Sequence, residues 1–145
     1  MQELWEYLKA TLNETDLRKV LLSSDEDHQT SLVSSATNEY RKSFEFIAKV
    51  YEENFSLPEI KEILCKIDSH IAPIFYESIR SGNLETCQAV SEFLWKTFQN
   101  DRLELRRFLQ YRDTKGYFLT KKNDDNACVK VFLSLLRKAY LDEEE

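Results

Sequence analysis

The feature that most constrains what this chain can fold into is a repeating register. Leu21, Leu64 and Leu109 are each followed four residues later by an aspartate: Asp25, Asp68 and Asp113. The aspartates stand 43 and then 45 residues apart, in "LLSSDEDHQTSL", "LCKIDSHIAPIF" and "LQYRDTKGYFLT". Other apolar columns keep the interval: Leu12, Phe55 and Phe98; Leu17, Ile60 and Leu105; Val20, Ile63 and Phe108. Self-similarity at such a period marks an array of supersecondary units, each of which buries its apolar face only by stacking on a neighbour.

Inside a unit the period is that of a helix. "KSFEFIAKVYEENF" sets Phe44, Ile47, Val50 and Tyr51 on one face, continued by Phe55. "SLPEIKEILCK" restarts as a second helix, with Ser56 as N-cap, Pro58 in the first turn and Glu59 three residues after the cap. "NETDLRKVLLS" and "QNDRLELRRFLQ" repeat that design, with Thr15 or Asp16 and Asn100 or Asp101 as the expected caps. A further short helix follows the aspartates, in "TSLVSSAT" and "PIFYESIRS". The columns predict burial of Phe44, Ile47, Val50, Ile60, Leu64, Val90, Leu94, Leu105 and Leu109. Leu4, Ile47, Val90 and Leu135 share a column of the long helices. Cys65, Cys87 and Cys128 read as small core hydrophobes, and Phe44, Phe46, Tyr51, Phe55, Phe93, Trp95 and Phe98 as packing between units. The chain divides into a partial unit 2–24, units 25–67 and 68–112, a partial unit 113–141 and an acidic tail 142–145.

Composition narrows the class. Two glycines and two prolines cannot supply the turns of a sandwich or barrel, and no apolar run is long enough to cross a bilayer. The N-terminal stretch lacks a basic segment followed by an apolar core, so no secretory signal is expected. Three widely spaced cysteines suit a reducing compartment, which makes the cytoplasm, or the nucleus, the expected location. A net charge of −6 argues against a nucleic-acid backbone as partner. His28 and His70 have no ligand spacing around them, the acidic clusters lack the glycine and glutamate of a calcium loop, and no glycine-rich loop could cradle a phosphate. No enzyme, metal or cofactor is expected.

The segment "DSHIAPIFYESIRSGNLE" resembles the ankyrin-repeat frame, through Asp68, Pro73, Phe75 and the Gly82-Asn83 pair with Leu84-Glu85. "DEDHQTSLVSSATNEYRK" is similar through Asp25, Thr30, Leu32 and Ala36, and "DTKGYFLTKKNDDNACVK" keeps Asp113 and Gly116. Gly82 closes a helix at a position that requires positive φ; Asn38 and Asn126 fall near the same turn. The units are about ten residues longer than the usual 33, so an armadillo- or HEAT-like all-α solenoid is the alternative to an ankyrin-like one.

The resemblance implies a non-catalytic module that binds a partner protein through a concave face, as an inhibitor or a host-directed effector. A targeting or scaffold segment of a larger protein is the second reading. Carried over by position, the hairpin tips are Glu26, Asp27 and Gln29; Ser69, His70 and Ala72; Thr114, Lys115 and Tyr117. The first-helix positions are Thr37 and Asn38; Arg80 and Ser81; Asp125 and Asn126. The face runs from acidic Glu26 and Asp27 to basic Lys115, Lys121 and Lys122. A monomer is expected unless exposed terminal repeats pair.

Overall fold

A computed structural model describes residues 2–23, 30–37, 40–65, 74–110 and 127–141. Among these residues the chain is all-α, with nine helices and no strand. They are α1 (Gln2–Thr11), α2 (Glu14–Leu22), α3 (Ser31–Ser35), α4 (Arg41–Asn54), α5 (Leu57–Cys65), α6 (Ile74–Ser81), α7 (Leu84–Phe98), α8 (Arg102–Leu109) and α9 (Ala127–Leu141). A short, a long and a short helix follow one another in α3–α4–α5 and again in α6–α7–α8. Asp25, Asp68 and Asp113 lie outside the described residues.

Local chemistry accounts for the helix ends. Ser56 and Glu59 form a reciprocal capping box: the Ser56 N–H donates to Glu59 Oε1 at 2.9 Å, and the Glu59 N–H donates to Ser56 Oγ at 3.4 Å. Asp101 Oδ1 accepts from the Glu104 N–H, and Asn83 Oδ1 accepts from the Thr86 N–H at 2.9 Å. The cap of α2 is Asn13, which accepts from the Asp16 N–H at 2.8 Å, and not Thr15 or Asp16. An amide oxygen one residue before the first turn reaches that donor; Thr15 and Asp16 already belong to the helix. Gly82 has φ +74°, the left-handed stop expected of it, and its N–H donates to Ile79 O at 3.0 Å.

Successive helices pack on one another. Long helix α4 lies against α7, and α7 against α9; first helix α3 meets α6, and α6 meets α9. Leu17, Ile60 and Leu105 are buried, as are Leu21, Leu64 and Leu109, so two of the repeat columns form the interior of α2, α5 and α8. Phe75 of α6 joins the later helices: its ring lies 5.4 Å from Phe108 and 5.7 Å from Phe132. Phe44 of α4 meets Phe93 of α7 edge-on at 5.8 Å.

Three expectations need correction. Ile47 is half-buried, because it sits at the edge of the face that Phe44, Ala48 and Tyr51 turn inward. Leu4 is 62% exposed although Val90 and Leu135 of its column are buried, and Val20 is 41% exposed although Phe108 is buried. Burial in these columns depends on a neighbouring unit, and among the described residues α1 and α2 have one on a single side only. Cys65 is exposed, since it ends α5 and turns toward Glu104 of α8; Cys87 and Cys128 are buried.

A further column links the units. Arg18, Lys61 and Arg106 each stand one residue after the Leu17, Ile60 and Leu105 column. Each reaches the C-terminal end of the next long helix. Arg18 Nε donates to Asn54 O at 3.1 Å, and its guanidinium lies 4.9 Å from the Phe55 ring while Nη2 pairs with Glu59. Lys61 sits 5.8 Å from the Phe98 ring and 3.7 Å from Asp101 Oδ2. Arg106 donates twice to Ala139 O, at 3.2 and 3.1 Å, and covers the Tyr140 ring at 4.3 Å. A cation at the end of a helix satisfies orphan carbonyls and opposes the negative end of its dipole. Arg18 and Arg106 each satisfy a carbonyl in this way, and Lys61 reaches the equivalent helix end through the Phe98 ring and Asp101.

Candidate functional site

Of the fifteen residues assigned to partner binding, the structure describes three: Thr37, Arg80 and Ser81. Glu26, Asp27, Gln29, Asn38, Ser69, His70, Ala72, Thr114, Lys115, Tyr117, Asp125 and Asn126 lie outside the described residues, as do His28, Lys121 and Lys122. Thr37 and Ser81 occupy the ends of first helices α3 and α6, and both are exposed. Each hydroxyl donates back three residues, Thr37 to Ser34 O and Ser81 to Ser78 O, both at 2.7 Å. Arg80 is exposed, but its guanidinium is held by Glu77, whose side chain is only 7% exposed. That ion pair gives Arg80 an internal partner as well as an outward position.

Open concavities lie elsewhere, between the long helices. One, of about 220 Å³, runs between α4 and α7 over Phe44, Ala48, Ala89 and Phe93. Two ion pairs cross it: Arg41 Nη2 to Glu92 Oε2 at 2.6 Å and Lys96 Nζ to Glu52 Oε2 at 2.7 Å. The second, of about 250 Å³, lies between α7 and α9, floored by Trp95, Val131 and Leu135 and edged by Ser91, Ser134, Glu92 and Lys138. Helical spacing places these residues: Ser91 and Trp95 are four apart on α7, and Val131, Ser134, Leu135 and Lys138 are three or four apart on α9.

Comparison with protein-family models, with curated proteins and with solved structures finds no match to this chain. Its own residues carry the reading.

Trp95, expected to pack between units, packs against the core and also lines the groove. It is half-buried, with Lys138 Nζ 4.1 Å and Arg102 Cζ 5.3 Å from its ring centroid. Cations within about 6 Å of an indole face are attracted by its quadrupole, about 0.5–1 kcal/mol at exposed sites. One side of the ring packs against the hydrophobic core, and the rest stays open to the groove. Helix α9 carries Lys130, Arg137 and Lys138 and no carboxylate over Ala127–Leu141. Of these cations Lys138 lines the groove, while Lys130 and Arg137 stand four and three residues from Ser134 on the exposed side of α9. On the α7 edge the Glu92 carboxylate is already bound to Arg41.

The thiols are poorly disposed to chemistry. Burial first, then the neighbouring Cys128, pushes the Cys87 thiol up to about 12, while its Sγ donates to Ser78 O at 3.2 Å. Burial and the Glu104 carboxylate push Cys65 up to about 11. A thiol that keeps its proton is a weak nucleophile. Among the described residues no three His, Cys, Asp or Glu side chains converge as metal ligands.

Proposed function

We propose that this protein is a non-catalytic protein-interaction module, built as a helical solenoid of lengthened ankyrin-like units. The observation that carries the reading is the groove between α7 and α9: shallow, apolar on its floor, charged on one rim, and formed by stacked helices rather than by an enclosed pocket. Stacked repeats present extended surfaces of this kind, and such surfaces take macromolecules. The solenoid reading is supported by the recurrence of short, long and short helices, by the buried columns and by the Arg18–Lys61–Arg106 series. Two faces are available to a partner: the ends of the first helices, where Thr37, Arg80 and Ser81 stand, and the grooves on the long helices. The groove is favoured because it combines a half-buried aromatic with cations that no carboxylate pairs with among the described residues.

The test is a photo-cross-linking residue placed at Ser134 in the groove, at Ser81 on α6, or at exposed Lys19 on α2 as control. A discrete protein adduct from Ser134, absent from Lys19, is the expected result. Adducts equal at all three positions, or at none, overturn the interaction reading. An adduct from Ser81 alone keeps the interaction and moves it to the first-helix face.

A further inference from the structure

We infer that the α7–α9 groove docks an acidic segment of a partner protein, one that carries an aromatic or branched apolar side chain among its carboxylates; this rests on the interaction reading above. The chain as a whole is acidic, with 26 Asp and Glu against 20 Lys and Arg, yet α9 reverses that balance. Lys130, Arg137 and Lys138 are exposed, and among the described residues no carboxylate pairs with them. Beside them lies a floor of Trp95, Val131 and Leu135 with room for one or two side chains, about 250 Å³. Apolar contact on that floor supplies affinity, and the cations of one edge set polarity, orientation and association rate.

The sign of the partner follows from what is already neutralised. The Glu92 carboxylate, the acid nearest the groove, accepts from Arg41 at 2.6 Å, so a basic segment would have to displace an existing ion pair. An acidic segment meets Lys138 at the groove and Lys130 and Arg137 beside it, none of which pairs with a carboxylate among the described residues. A peptide also fits better than a single-stranded nucleic acid. Stacked bases need a bare aromatic face, and Lys138 and Arg102 lie close to the Trp95 ring.

The probe is a fluorescein-labelled peptide of about 15 residues, with Leu or Phe at every third or fourth position among glutamates, long enough to form a helix on contact. Its twins replace every Glu by Gln or by Lys, and an oligothymidylate serves as a second polyanion. Anisotropy is followed together with Trp95 emission, with the Trp95→Phe variant marking the contribution of Trp5. The expected result is that the Glu peptide binds roughly tenfold more tightly than the Gln peptide at low salt and shifts Trp95 emission. The advantage should shrink between about 50 and 300 mM salt and vanish in Lys130→Glu/Arg137→Glu. Circular dichroism of that variant should match wild type, since both side chains are exposed. If the Gln or Lys peptide binds equally and still shifts Trp95, the groove docks proteins but the acidic chemistry is wrong. Oligothymidylate that binds as tightly as the Glu peptide and competes with it overturns the peptide assignment. No binding up to millimolar peptide overturns the inference itself, and the Ser134 and Ser81 cross-links then decide whether the interaction reading falls with it.

Discussion

Replacing Arg106 by methionine removes one polar link between α8 and α9 while keeping an unbranched apolar stem of similar girth. Its guanidinium donates to Ala139 O at 3.2 and 3.1 Å and lies 4.3 Å from the Tyr140 ring. A hydrogen bond from a charged donor contributes about 1.5–3 kcal/mol, and a cation over an exposed ring about 0.5–1 kcal/mol. Because Arg106 is half-buried and both contacts come from one group, the low end applies, and Arg106→Met should cost about 2 kcal/mol. For a chain of this length that is roughly 4–8 °C in Tm. The loss should also be local: amide exchange in the last turn of α9 should accelerate more than exchange in α4. Arg106→Lys should recover less than half, because an ammonium cannot reproduce the forked donation. The assay is thermal melting with native-state hydrogen exchange on wild type and both variants. A Tm change below about 2 °C, or exchange that rises evenly across all helices, would refute the claim that this column couples successive units.

Other expectations follow from single residues. Nothing lies within 4 Å of a Cβ built on Gly82, so substitution there meets strain without a clash; Gly82→Ala should cost about 1 kcal/mol and Gly82→Val more, read from chemical melts. Ile60 is 1% exposed, so Ile60→Ala should cost about 2–5 kcal/mol, whereas half-buried Ile47→Ala should cost clearly less; equal losses would mean the face of α4 is misassigned. Stability should fall as pH rises above 9: the Cys87 thiol is raised from 9.0 to about 12 and burial raises the Tyr51 phenol above 10.0. The unfolded chain releases those protons first, so the stability they contribute is full below the unfolded pKa values and is lost through the folded ones, at about 1.4 kcal/mol per pH unit per group. Urea midpoints from pH 8 to 11 check this, and Cys87→Ala should flatten the slope while lowering stability at neutral pH.

The helices and much of the core were legible because their signals are local. The capping box at Ser56 and Glu59, the left-handed stop at Gly82 and the buried columns through Ile60 and Leu64 each follow from spacing and residue type. What spacing does not carry is how many neighbours a unit has. Leu4 and Val90 share a column, but Val90 stands on α7, which lies between α4 and α9, whereas among the described residues no such pair of long helices flanks α1; Leu4 is exposed and Val90 buried. Trp95 fell among the core aromatics for the same reason. Its half-buried ring meets Lys138 of α9, 43 residues away, a contact that no periodicity within α7 announces. The Arg18–Lys61–Arg106 series was visible in principle, since it holds the repeat interval, but repeat columns are usually sought among apolar residues. Most of the carried-over binding set falls outside the described residues, so its place rests on the ankyrin resemblance alone.

The central claim is that a partner docks in the α7–α9 groove. The most direct measurement uses the two tryptophans of this 145-residue chain as separate reporters. Their indole N–H signals, assigned with Trp95→Phe, are followed by proton–nitrogen correlation spectra while the acidic peptide or a cross-linked partner is titrated in. The account predicts that the Trp95 indole and the backbone amides around Ser91, Val131 and Ser134 shift together and saturate at one stoichiometry, while the buried Trp5 indole stays in place. Shifts confined to α3 and α6 around Thr37 and Ser81, with the Trp95 indole unmoved at saturation, would contradict it.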